Sequence, residues 1–126
     1  MLHVRDLMPM FTATNRVDGQ SVDYRDVWQR RNLVLISIPP GLITTPEAEP
    51  FLAYARASTQ HDTTFVVTSD TLPGVPSPGA VIADRWGEVY YVAAGDTLVD
   101  LPAPDALTDW LRFVQQECPE CQGEAR

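Results

Sequence analysis

The sequence predicts a single α/β domain, a mixed sheet with helices packed on it, and three observations carry that expectation. Residues 33–38 form an almost uniformly apolar run, and residues 63–68 form another around Phe65, Val66 and Val67. Such runs suit strands buried on both faces. Two other segments repeat their apolar residues at helical spacing: Ala48, Phe51, Leu52 and Ala55, then Leu107, Trp110, Leu111 and Val114. Finally, the 126 residues leave room for one core, because a domain typically takes about 150.

Each element has its own signal. Residues 10–14 read as a short extended segment after Pro9. Asp18-Gly19 marks a tight turn, since glycine supplies the positive φ that such a turn needs. Residues 21–23 return as the partner strand, and residues 24–28 suit one helical turn. The central run ends at Pro39-Pro40-Gly41. Thr44-Thr45-Pro46-Glu47 then opens a helix with a threonine cap, a first-turn proline and a Glu three residues after Thr44. That helix runs to about residue 59, and Pro50, placed inside it, should kink it. After strand 63–68, residues 80–84 and 89–94 form a hairpin around Arg85-Trp86-Gly87-Glu88. The last helix follows Pro102 and Pro104. The remaining prolines, from a total of 11, act as punctuation between elements.

Charge narrows the partners. Seventeen acidic against nine basic residues give a net charge of −8, and all nine basic residues are arginine. That surface repels phosphate backbones and anionic membranes, so neither nucleic acid nor membrane is expected as a partner. Residues 1–11 carry His3, Arg5 and Asp6 and do not read as a targeting segment. The apolar stretch at 33–43 is interrupted by Ser37, Pro39, Pro40 and Gly41, well short of the roughly 20 residues of a membrane helix. With two cysteines only, Cys118 and Cys121, no disulfide scaffold is in prospect, and a cytoplasmic protein is expected.

Several of these segments together resemble a known family. Pro9-Met10-Phe11-Thr12 followed by Val17-Asp18-Gly19-Gln20-Ser21-Val22 is similar to the opening of the redoxins, the peroxiredoxin and alkyl hydroperoxide reductase/thiol-specific antioxidant group. Leu33-Val34-Leu35-Ile36 resembles their first core strand and Glu49-Pro50-Phe51-Leu52 their kinked first helix. Val66-Val67-Thr68-Ser69-Asp70 resembles a V-x-V-S-x-D strand end. The segment from Pro78 through Asp84-Arg85-Trp86-Gly87-Glu88-Val89 resembles the one that begins with the fold's cis-proline. The resemblance implies a thioredoxin-like three-layer α/β fold as a single domain over residues 1–126, with an N-terminal hairpin and a mixed central sheet; residues 118–126 of this chain add a C-x-x-C tail. It also implies antioxidant or thiol-oxidoreductase activity.

Two departures bear on function. The family's nucleophilic cysteine lies in the loop after the first core strand, where a helix N-terminus lowers the thiol pKa. Here that loop is residues 39–46, and no cysteine precedes Cys118. The second departure is length: seven residues, 71–77, separate Asp70 from Pro78, where relatives place a crossover helix. Seven extended residues reach roughly 23 Å, and crossing one strand takes about 10 Å. A shortened crossover is therefore expected, with residues 71–77 lying over the would-be active site.

The remaining candidate chemistry is sparse. Cys118-Pro119-Glu120-Cys121 is a candidate redox pair, or two of four zinc ligands. At the C-terminal end of a predicted helix, flanked by Glu117 and Glu120, a thiolate is disfavoured. Cys118 also continues the apolar stripe of Leu107, as a packing residue would. Zinc would need His3 and His61, which nothing brings near, or a symmetric dimer pooling two pairs; no metal and no cofactor is assigned. Thr44 and Thr45 are candidate binding hydroxyls, although helix capping accounts for both. Pro78, if cis, would expose a backbone edge beside the loop, and a peptide or protein partner in that groove is the expectation. Leu42 and Ile43, with an exposed Trp86 or Val75, would form the contact patch. Glu47 and Glu49 suit the positive end of their helix, and Asp84 suits a hairpin turn. Phosphate-binding loops, serine-hydrolase elbows and dinucleotide fingerprints are absent from the sequence. Two functions are thus in view. One is a redoxin-family protein lacking the usual nucleophile, any thiol chemistry residing at Cys118 and Cys121; the other is a non-catalytic binding or regulatory module. The oligomeric state is left open.

Overall fold

The computed structural model describes residues 1–116. The elements run β1 (Thr12–Thr14), β2 (Ser21–Asp23), β3 (Asn32–Ser37), α1 (Glu49–Ala57), β4 (Thr63–Thr68), β5 (Gly79–Ala83), β6 (Val89–Ala94) and α2 (Pro104–Gln116), with 3-10 turns at Tyr24–Asp26, Pro46–Ala48 and Leu98–Asp100. β1 and β2 form the expected antiparallel hairpin, and Gly19 in its turn has φ +76°. The other four strands make one mixed sheet in the order β4-β3-β5-β6. β3 pairs parallel with β4, Asn32 opposite Thr63 through Ser37 opposite Thr68, and antiparallel with β5.

Alternation along β3 divides the core. Val34 and Ile36 join Ile38, Phe51, Ala55, Leu107 and Leu111 on the face covered by α1 and α2. Leu33 and Leu35 join Leu2, Met8, Phe11, Tyr24 and Leu72 on the other face. That second face is covered by the N-terminal segment and the β1–β2 hairpin, and among the described residues no α-helix packs on it. β3 is buried on both sides, which is why its sequence reads as a continuous apolar run.

Two expectations are corrected here. Pro50 does not kink the interior of α1 but is the second residue of that helix. Without an N–H it cannot bond the Pro46 carbonyl, which accepts instead from the Glu49 N–H. The chain therefore makes one 3-10 turn over Pro46–Ala48 and only then becomes α-helical. Residues 71–77 do form a connection without a helix, but they lie on the opposite face from the loop after β3. Leu72 and Val75 pack with the Leu2 and Met8 cluster, and the Leu2 N–H donates to the Gly74 carbonyl at 2.8 Å. Since Thr68 and Gly79 both flank Ser37 at one end of β3, the connection only has to pass that end.

Candidate functional site

The loop that follows β3 is built as a series of turns. The Leu42 and Ile43 N–H groups donate to the Pro39 carbonyl at 2.9 and 3.1 Å, and the Thr45 N–H donates to the Leu42 carbonyl at 3.1 Å. Ile43 is drawn into the core beside Phe51, which fixes the loop from below. Thr45 stands at the start of the 3-10 turn, yet its hydroxyl does not cap it. Its Oγ1–H donates backward to the Leu42 carbonyl at 2.6 Å, while the Ala48 N–H is taken by the Thr45 backbone carbonyl. Capping therefore does not account for this hydroxyl, because the tight turn gives its donor to the main chain. Thr44 is exposed beside it.

Leu42, Thr45 and Glu47 form one wall of a cleft of about 300 Å³. Thr97, Leu98 and Val99 form the other. The second wall is held by Asp100, whose carboxylate accepts from the Thr97 and Asp96 N–H groups at 3.1 and 3.0 Å. Those N–H groups, Thr97 first, lower the Asp100 pKa from the usual carboxylate value. The lining of the cleft is mainly apolar, and Glu47 is its one charged residue. Thr97–Val99 were not singled out from the sequence, although Thr97 and Asp100 stand at capping-box spacing.

Pro78 lies at the same end of the sheet, its peptide bond to Ser77 is cis, and it is buried. Its carbonyl accepts from the Gly95 N–H at 3.2 Å, so that part of the backbone edge is occupied. Ser77, the residue before it, is exposed. Pro78 does not line the cleft.

The contact patch anticipated from sequence does not assemble. Ile43 is buried in the core, and Val75 belongs to the opposite face. Trp86 sits at the far end of the sheet, where the hairpin reverses, and its carbonyl accepts from Trp28 Nε1 at 3.2 Å. Only Leu42 keeps a position on the cleft. Asp84 has the expected turn role: buried, its Oδ1 accepts from the Trp86 and Glu88 N–H groups, both at 2.9 Å. Cys118 and Cys121 lie outside the described residues. Among the described residues no cluster of metal-ligating side chains occurs, and no helix is long and apolar enough to cross a membrane.

With this geometry in hand, comparison with known proteins places the fold. No family model and no curated protein matches the sequence. Solved structures do. The AhpC of Mycobacterium tuberculosis superposes with a TM-score of 0.65 at 13% identity, over 100% of this chain and 99% of that one. A peroxiredoxin-like protein from Aquifex aeolicus gives 0.63 at 15%, over 90% and 88%. A thioredoxin-family thiol:disulfide interchange protein from Chlorobium tepidum gives 0.58 at 11%, over 90% and 99%. The chain has a thioredoxin-like fold of the peroxiredoxin kind.

Proposed function

We propose that this chain is a peroxiredoxin-like protein of the cytoplasm that works without the usual nucleophile, as a module that binds or regulates polypeptide. One observation carries the reading. Where the fold's reactive loop would present a thiol, this sequence has Pro39 through Pro46 with no cysteine, and the loop lines an apolar cleft instead. A peroxidase of the redoxin kind needs a thiolate to attack peroxide, and neither a proline nor a threonine hydroxyl stands in for one. The cleft between Leu42 and Val99 has the size and apolar lining that suit an apolar side chain.

The test uses an unfolded, carboxymethylated polypeptide as probe and follows backbone amide signals. Shifts confined to Leu42, Thr45 and Thr97 through Val99, lost in Val99→Asp, are expected. Absence of shifts there would overturn the reading.

A second reading rests on the Cys118-Pro119-Glu120-Cys121 pair, which peroxide would oxidise to a disulfide, with release of two waters, and a thiol reductant would return to the dithiol. Stopped-flow peroxide consumption with a thioredoxin-type reductant separates the two. Turnover abolished by Cys118→Ser would favour the second reading; a background rate, unchanged by that substitution, agrees with the first.

A further inference from the structure

The two outer strands of the sheet are treated differently. The edge of β4 is occupied: Asn15 Nδ2–H donates to the Phe65 carbonyl, the Val67 N–H donates to Asn15 Oδ1, and the Arg16 N–H donates to the Val67 carbonyl. The start of β6 is covered in a similar way, with the Arg5 N–H on the Val89 carbonyl and the Val89 N–H on the Asp6 carbonyl. Farther along β6, no backbone group among the described residues pairs with the outer side of residues 91–94. Those residues are Tyr, Val, Ala and Ala, with none of the charges or prolines that normally guard an open edge.

An aromatic platform borders this edge. A register shift opposite Ile82 and Ala83 leaves Tyr90 and Tyr91 packed on the same face of the sheet, the one under α2. Tyr91 stacks on Trp110 at 4.9 Å, and Phe113 meets Trp110 edge-on at 5.7 Å and Tyr90 at 6.2 Å. Trp110 and Phe113 remain 37% and 47% exposed. Asp109 lines the same hollow as these two rings and has no ion-pair partner among the described residues. Arg5, at the other side of the platform, is paired with Glu88 at 3.2 Å.

We propose that β6 accepts an extended basic segment of another polypeptide as a fifth strand. Its backbone pairs along residues 91–94, and its arginine or lysine side chains lie on the Trp110 and Phe113 rings beside Asp109. Ring faces attract cations, the carboxylate supplies the countercharge, and the net charge of −8 draws in a basic partner. A second copy of this chain fits less well, since it brings the same net charge and its own β6 offers no cation to Asp109.

The probe is a short labelled peptide of alternating arginine and valine with blocked ends, titrated by fluorescence anisotropy against the full chain. Binding should slow amide exchange at alternate residues of 91–94. Trp110→Ala and Asp109→Asn should each weaken binding about two- to fivefold, as loss of an exposed cation–π contact or its countercharge predicts. The same peptide with alternate backbone nitrogens methylated should not bind. Equal binding by the methylated peptide would reduce the interaction to charge attraction and overturn the proposal. So would affinity unchanged in Asp109→Asn, or concentration-dependent protection of residues 91–94 without peptide, which would identify the occupant as a second copy.

Discussion

Asn15 donates its side-chain Nδ2–H to the backbone carbonyl of Phe65 at 3.1 Å, across fifty positions of chain. Its Oδ1 accepts from the Val67 N–H at 3.2 Å, so the amide pairs with β4 much as a peptide unit would. The same oxygen accepts from the Val17 N–H, which ties the strand edge to the β1–β2 turn. One buried side chain thus ties the hairpin to the sheet.

Asn15→Ala should therefore be costly. It leaves the Phe65 carbonyl and Val67 N–H unpaired at a buried edge, and about 2–3 kcal/mol of stability should be lost. Urea unfolding measures this. A loss below about 0.5 kcal/mol would mean that water replaces the amide without penalty.

Gly79→Ala should be worse tolerated than its size suggests. A Cβ at Gly79 would stand 2.3 Å from the Pro76 carbonyl oxygen, which is backbone and cannot swing aside. The first residue of β5 would have to move, at a cost of about 2 kcal/mol or more. Thermal unfolding of the variant beside Gly41→Ala, where a Cβ meets nothing within 4 Å, isolates the effect.

Tyr24 makes stability fall in strong base. Burial first, and the neighbouring Asp84 charge second, push its phenol from 10.0 up to about 12. Below pH 10 both folded and unfolded chains carry the neutral phenol. Between those values the unfolded chain ionises first, so stability declines by at most about 1.4 kcal/mol per pH unit. Tyr24→Phe should remove that slope. Its hydroxyl meets no hydrogen-bond partner among the described residues, so the variant should also be at least as stable at neutral pH. A large destabilisation of Tyr24→Phe at pH 7 would refute both points.

Thr45→Val tests how the candidate cleft is set. The Thr45 hydroxyl holds the Leu42 carbonyl, and its removal should cost about 1 kcal/mol. The same change should weaken binding of an unfolded polypeptide at the cleft, since Leu42 forms part of one wall. Unchanged affinity with reduced stability would separate the turn from the site.

Much of the sheet was legible because burial writes itself into composition. β3 and β4 lie where two apolar runs predict them, and the stripes Phe51–Ala55 and Leu107–Leu111–Val114 face the core. What escaped the sequence depends on contacts between distant residues. Asn15 is one polar residue in a hairpin, and nothing local says that its amide will meet Phe65. Val89-Tyr90-Tyr91-Val92 reads equally well in either alternation, so the register shift that puts both tyrosines under α2 cannot be read from it. The cleft was half visible. Leu42 and Thr45 belong to the loop after β3, whose prolines and threonines are plain in the sequence, whereas Leu98 and Val99 arrive from the turn after β6.

The roof over the face opposite α1 and α2 has a consequence for how the molecule is made. Leu2 is seated by the Gly74 carbonyl and Met8 by the Gly87 carbonyl, so these residues leave the ribosome 72 and 79 positions ahead of the groups that hold them. At about 5–20 residues per second, the wait is several seconds. Throughout it, Leu2, Met8 and Phe11 have no finished surface to settle on. Translation speed and chaperone supply should therefore affect the yield of this protein separately from its final stability.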